Sequence, residues 1–170
     1  MSILETPRLI LRELNPGDAA ALARVLTDPE TMRYYPAPLD QSRVDQWIAR
    51  NRERYKNDGV GLWAMLLKSS GDLIGDCGIT RQRVEGEHLY EVGYHLRRDV
   101  WHQGLATEAA IASRDWAFQH LTADRLISLI RPENTPSRRV AERSGMTIWK
   151  EVDWRSLRHL IYAIERPMAA

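Results

Sequence analysis

The segment from Glu91 to Ala109 carries the most informative spacing in the chain. An apolar strand ends near Leu96, a short loop follows, and a helix opens at Gly104-Leu105-Ala106. The first amides of a helix lack intrahelical partners and sit at the positive end of its dipole. Small residues let the oxygens of an anion approach those amides, which makes a backbone cradle for phosphate or pyrophosphate. The same spacing also serves close helix packing. No Gly-Lys-Ser/Thr follows and Gly-x-Gly-x-x-Gly is absent, so this is neither a Walker loop nor a dinucleotide fingerprint.

Other reactive side chains are sparse. Cys77 lies in a strand between Gly75 and Gly78, with no histidine close in sequence, and reads as a small buried hydrophobe. His88, His95, His102, His120 and His159 show no metal-ligand spacing, and no metal site is expected. Arg50, Arg52 and Arg54 are offset by Asp45, Glu53 and Asp58, and read as a solvated helix face rather than a nucleic-acid surface. The tryptophans read mostly as core.

The elements that position these residues follow from pattern and punctuation. Leu9–Leu14 is a strand, and Asn15-Pro16 caps a short helix ending near Leu26. Met32 to Leu39 is an aromatic loop holding Tyr34 and Tyr35. Asp40 or Ser42 starts a second helix, with Val44, Trp47, Ile48 and Tyr55 at helical spacing. Leu62–Lys68, Leu73–Arg83 and His88–Leu96 form an antiparallel meander. A helix over Leu105–Leu121, a strand over Arg125–Ile130 and a helix over Pro136–Ser144 follow, with Gly145 as the C-terminal stop. Thr147–Val152 and His159–Glu165 are the last strands, joined through Asp153 to Arg158. This order gives an α+β fold with a mixed, mostly antiparallel twisted sheet flanked by helices.

Length and charge narrow the function. The 170 residues fit one domain, 1–170. Lys plus Arg is 24 and Asp plus Glu is 23, so the net charge is +1 and a DNA-coating role is disfavoured. One cysteine gives no internal disulfide. The first residues lack the pattern of a signal peptide, and no run reaches the ~20 apolar residues of a membrane span. The expected location is the cytoplasm.

Three segments together resemble the GNAT acetyltransferase superfamily, and its RimJ/RimL branch in particular. They are Leu4-Glu5-Thr6-Pro7-Arg8-Leu9-Ile10-Leu11-Arg12, Trp101-His102-Gln103-Gly104-Leu105-Ala106-Thr107-Glu108-Ala109, and Pro132-Glu133-Asn134-Thr135-Pro136-Ser137 through Ser144-Gly145-Met146. Trp101 departs from the superfamily's usual Gln/Arg, and Met146 stands where the branch usually has Phe.

The resemblance implies an acetyl-CoA-dependent N-acetyltransferase, acting by direct transfer to a protein N-terminal amine or a small-molecule amine. Amides from Gln103, Gly104, Leu105, Ala106 and Thr107 would hold the pyrophosphate. Backbone groups around Leu96 and Arg97 would run beside the pantetheine where two parallel strands splay, with Gly93 as a candidate bulge. Asn134 would bond the pantetheine arm, and Arg138 or Arg139 the phosphates. Glu91 is the candidate base and Ser137 the donor to the thiolate. Tyr34, Tyr35 and Trp154 border the acceptor. The alternative is a non-catalytic acyl-CoA-binding or sensor module on the same scaffold. Edge strands in the C-terminal half suggest a possible homodimer.

Overall fold

Asn15 and Pro16 begin the first helical turn as their side chains dictate. The Asn15 side chain accepts from the Gly17 amide at 2.9 Å, and Asp18 reaches back to the Asn15 amide at 2.8 Å. This capping box satisfies donors that the turn would otherwise leave free. The computed structural model describes residues 1–168. Its elements are β1 (Ser2–Glu5), β2 (Leu9–Arg12), α1 (Ala19–Leu26), α2 (Gln41–Asn57), β3 (Leu62–Leu67), β4 (Leu73–Val84), β5 (Glu87–Leu96), α3 (Leu105–His120), β6 (Arg125–Ile130), α4 (Thr135–Arg143), β7 (Thr147–Trp154) and β8 (Leu157–Glu165).

The eight strands form one sheet in the order β1-β2-β3-β4-β5-β6-β8-β7. Every pairing is antiparallel except β5 with β6. The mixed, mostly antiparallel sheet is therefore as expected. Three details differ. Ser2–Glu5 is an additional edge strand, too short and without the polar–apolar alternation that would reveal it. The last hairpin is tighter than expected, with only Arg155 and Ser156 between β7 and β8. Both have positive φ, 51° and 62°, as a two-residue hairpin turn needs. Trp154 thus ends a strand rather than sitting in a loop.

Helices cover both faces. On one face α3 packs through Leu105, Ala109, Ala110 and Ala117 against Trp63, Met65, Cys77 and Ile79. Its small residues let the helix lie close to the sheet. On the other face Leu22 and Val25 of α1 and Val44 and Ile48 of α2 pack with Leu14, Ala64 and Leu73. Each fully buried Leu or Val contributes about 1.5–3 kcal/mol of transfer free energy. Trp63 is the tryptophan that is fully buried; Trp47, Trp101, Trp116 and Trp154 are half-buried and Trp149 is exposed. No helix among the described residues is long and apolar enough to cross a membrane.

Candidate active site

The site begins where the sheet comes apart. β5 and β6 pair only at Tyr90 with Leu126 and Glu91 with Ile127. Beyond that rung they diverge. The Ser128 hydroxyl donates to the Val92 carbonyl at 2.7 Å across the start of the gap. Backbone groups alternate sides along a strand, so Val92, Tyr94 and Leu96 all address the gap. Arg97 faces the other way, its amide donating to the Ile74 carbonyl at 2.7 Å. The amides of Tyr94 and Leu96 are therefore open to a guest, and that of Arg97 is spent on β4. The Arg97 guanidinium is likewise held by Asp99. The Leu96 carbonyl accepts from the Trp101 indole at 2.8 Å, which fixes the strand end to the following loop. Gly93 makes no bulge. It pairs in register with Gly78, and a Cβ there would meet Leu62 at 3.3 Å, so it is a packing glycine.

The loop after β5 leads to the helix N-terminus expected from the sequence. Gly104 has φ +77° and caps α3 without a side-chain bond. The left-handed conformation, not crowding, demands glycine here, since the nearest atom a Cβ would meet is Arg8 Nη2 at 3.6 Å. Arg8 straps this loop. Its Nη1 donates to the Gln103 carbonyl at 2.8 Å and its Nε to Glu108 at 2.7 Å, while Thr6 donates to Glu108 at 2.6 Å. The N-terminal motif thus holds the first turn of α3 in place.

A cavity of about 280 Å³ opens from the gap. It brings together Glu91, Ser137, Asn134, Tyr34, Tyr35 and Trp154, six residues named from the sequence. Leu96, Arg97, the Gln103–Thr107 loop and Arg139 are not among its lining residues. One wall is a polar row on a single sheet face, with Asp76 and Thr80 of β4 opposite His95 and Glu91 of β5 and Gln82 next along the same face. Glu91 accepts from Gln82 at 2.8 Å and Thr80 at 3.3 Å on one oxygen, and from the Leu129 amide at 3.4 Å on the other. Burial raises its pKa above the ordinary carboxylate value, and these hydrogen bonds only partly offset that.

The same wall holds a network that the sequence did not disclose. Asp76 is fully buried and accepts from the Trp47 indole at 2.8 Å. Its other oxygen lies 2.7 Å from His95 Nδ1, and His95 Nε2 lies 2.6 Å from the Tyr35 hydroxyl. With the carboxylate as acceptor, the proton belongs on Nδ1 and Nε2 accepts from Tyr35. Although Tyr35 as a whole is exposed, desolvation of its hydroxyl against His95, with the nearby Glu91 and Asp76 charges, raises its pKa and keeps it protonated. A lone charge inside the buried run Leu73–Thr80 was the available signal, because such a charge needs partners.

The opposite wall comes from α4. Asn134 is the N-cap of this helix, accepting from the Ser137 amide at 3.2 Å. Capping therefore belongs to Asn134 and leaves the Ser137 hydroxyl lining the cavity. The Tyr94 hydroxyl donates to the Ser137 carbonyl at 2.8 Å. Arg138 is committed to the Tyr162 hydroxyl and the Pro132 carbonyl, whereas Arg139 is exposed. Cys77 is buried against Ser113, and its thiol is pushed up to about 12 by burial, too high for a nucleophile. The arginines of α2 require a correction at Arg54: it is half-buried against the cavity, while Arg50 lines the same opening but stays exposed as expected, since Trp47, Arg50 and Arg54 share one side of the helix.

Known proteins agree with this architecture. A model of the acetyltransferase (GNAT) domain matches residues 8–147. The uncharacterized protein YkkB of Bacillus subtilis is 37% identical over 150 residues, covering 88% of this chain and 87% of its own. A solved acetyltransferase from Agrobacterium tumefaciens is 30% identical, with a TM-score of 0.84 over 95% of this chain and 93% of its own. The solved structure of RimL, a ribosomal L7/L12 alpha-N-protein acetyltransferase in complex with coenzyme A, shares the fold at 14% identity. Its TM-score is 0.78 over 97% of this chain and 98% of its own. With the domain model spanning most of the sequence and a relative of this identity, the chain belongs to the GNAT family of acetyltransferases.

Proposed function

We propose that the protein transfers the acetyl group of acetyl-CoA to a primary amine by direct attack within a ternary complex. The observation that carries this reading is the divergence of β5 and β6 beyond Glu91, which frees the Tyr94 and Leu96 amides beside a half-buried carboxylate. The residues fit the cosubstrate. The open strand edge suits the pantetheine amides, as in strand addition. The first amides of α3, from Gln103 to Thr107, suit the pyrophosphate, with Asn134 toward the arm and Arg139 toward the remaining phosphate. When bound, acetyl-CoA supplies a thioester carbonyl open to attack.

Only a neutral amine attacks, and amines of pKa about 8 to 10.4 arrive mostly protonated. Glu91 takes that proton, directly or through one water. Its raised proton affinity brings it nearer the working pH than an exposed carboxylate. The Leu96 amide donates to the carbonyl oxygen as charge grows there. The Ser137 hydroxyl donates to the departing sulfur, and Tyr94 positions Ser137 by holding its carbonyl. Tyr34, Tyr35 and Trp154 enclose the acceptor. RimL takes a protein N-terminus, but a cavity of about 280 Å³ supports a small amine here. The free, buried Cys77 is compatible with the cytoplasm. Exposed Ile148 and Trp149 on the edge strand β7 support pairing into a homodimer. A thiol-detecting assay over a panel of amines tests the reaction. Amine-dependent release of CoA is expected, and binding of acetyl-CoA without release for any amine contradicts transfer in favour of a sensor module.

A further inference from the structure

The acceptor end of the cavity has a charge pattern that the reaction does not require. Arg50 and Arg54 from α2 and Arg155 from the β7–β8 turn line it, and Glu91 is the one carboxylate among the lining residues. None of these three arginines forms an ion pair among the described residues. Arg54 is half-buried, and its side-chain partner is Asn51 Oδ1 at 3.5 Å, beyond the usual N–H···O range. Burial and the neighbouring Arg50 charge lower its pKa, with Arg155 adding to the repulsion. A guanidinium has five donors and stays charged at neutral pH, so a half-buried one without an acceptor is costly. The Arg155 guanidinium lies 4.3 Å above the Trp154 ring at the tip of the two-residue turn.

We infer that the acceptor is a small amine bearing a carboxylate, an amino-acid-like zwitterion whose carboxylate is bound by Arg54 and Arg155 while its amine faces Glu91. This rests on the acetyltransferase reading above and names its substrate class. Guanidinium groups pair with carboxylates through two parallel N–H···O bonds, which matches the unfilled donors. With its carboxylate on the guanidiniums, the molecule turns its amine to Glu91, the one carboxylate lining the same cavity, whose charge is felt by Arg54 and which feels that of Arg155. A polyamine or other polycation is repelled by the same three guanidiniums.

The test is a calorimetric titration into protein saturated with CoA, which cannot turn over. The probes are the α-amino acids, their α-carboxamides, and spermidine. At least one amino acid is expected to bind, with its carboxamide at least tenfold weaker. Arg54→Gln or Arg155→Gln should erase that difference, and Arg155 lies on an exposed turn where folding is not at risk. Arg52→Gln, the same charge change on the same helix outside this cavity, should leave the difference intact. Equal binding of acids and carboxamides, preference for spermidine, or no binding of any acid overturns the inference. If CoA binds and another amine is acetylated, the enzyme reading survives that failure. If CoA itself does not bind, both fall.

Discussion

His95 and Asp76 stand opposite each other on adjacent strands, with His95 Nδ1 2.7 Å from the Asp76 carboxylate. The carboxylate also serves the Trp47 indole, so one buried anion satisfies donors from β5 and from α2. Asp76→Ala strips the acceptor from two buried donors at about 1–3 kcal/mol each. Urea unfolding should show a loss of about 2–6 kcal/mol on that basis. Tyr35→Phe should cost about 1 kcal/mol or less, because the freed His95 Nε2 borders the cavity and can take a water. Equal losses for the two variants would contradict this network.

Glu91 gives a pH-dependent signature. Burial raises its folded-state pKa above the ordinary value of 4.5, so the folded chain holds this proton more tightly than the unfolded chain. The stability it contributes is complete below about 4.5 and is lost as pH rises through the folded value. Glu91→Gln stays neutral and escapes that loss. Its melting temperature should exceed the wild type's at pH 8, and the gap should close toward pH 4. Its turnover should fall about 100-fold, the scale of a lost general base. A variant that is less stable at pH 8, or as active as wild type, removes Glu91 from the proposed role.

The first turn of α3 depends on Gly104. Valine at φ +77° is strained by about 1–3 kcal/mol and narrows the approach to the helix amides. Gly104→Val should abolish acetyl-CoA binding in a folded protein with a modestly lowered melting temperature. Retained binding would show that the amides of this turn do not hold the pyrophosphate.

Much of this arrangement is legible in the sequence, and the remainder has identifiable reasons. Asn15-Pro16, Asp40 and Gly145 mark helix ends through local chemistry, and the structure uses all three. Glu91, Ser137, Asn134, Tyr34, Tyr35 and Trp154, each named from the sequence, line one cavity. What stayed hidden depends on register. Asp76 meets His95 only because β4 and β5 pair as they do, and Arg54 enters the cavity only because of how α2 rolls onto the sheet. Local charge balance made Arg54 read as solvated, since Glu53 and Asp58 are close in sequence and yet form no ion pair with it among the described residues. Arg97 looked available until the alternation set by Val92 assigned its amide to β4.

Cys77 separates direct from two-step transfer. The thiol is buried and pushed up to about 12, so almost no thiolate is present near neutrality. Cys77→Ala should retain turnover within about twofold and cost about 1 kcal/mol for the small void it leaves. Trapping of an acetylated wild-type protein by mass spectrometry, absent in Cys77→Ala, would contradict direct attack.

The central claim is that the gap between β5 and β6 is an acetyl-CoA site. Its most direct test is a calorimetric titration of the folded protein with acetyl-CoA, CoA and ATP. The expected result is saturable micromolar binding of acetyl-CoA and CoA at one site per chain, with none for ATP. Absence of acetyl-CoA binding to stable, folded protein would contradict the account, leaving the open strand edge and the Gly104 turn as features of packing alone.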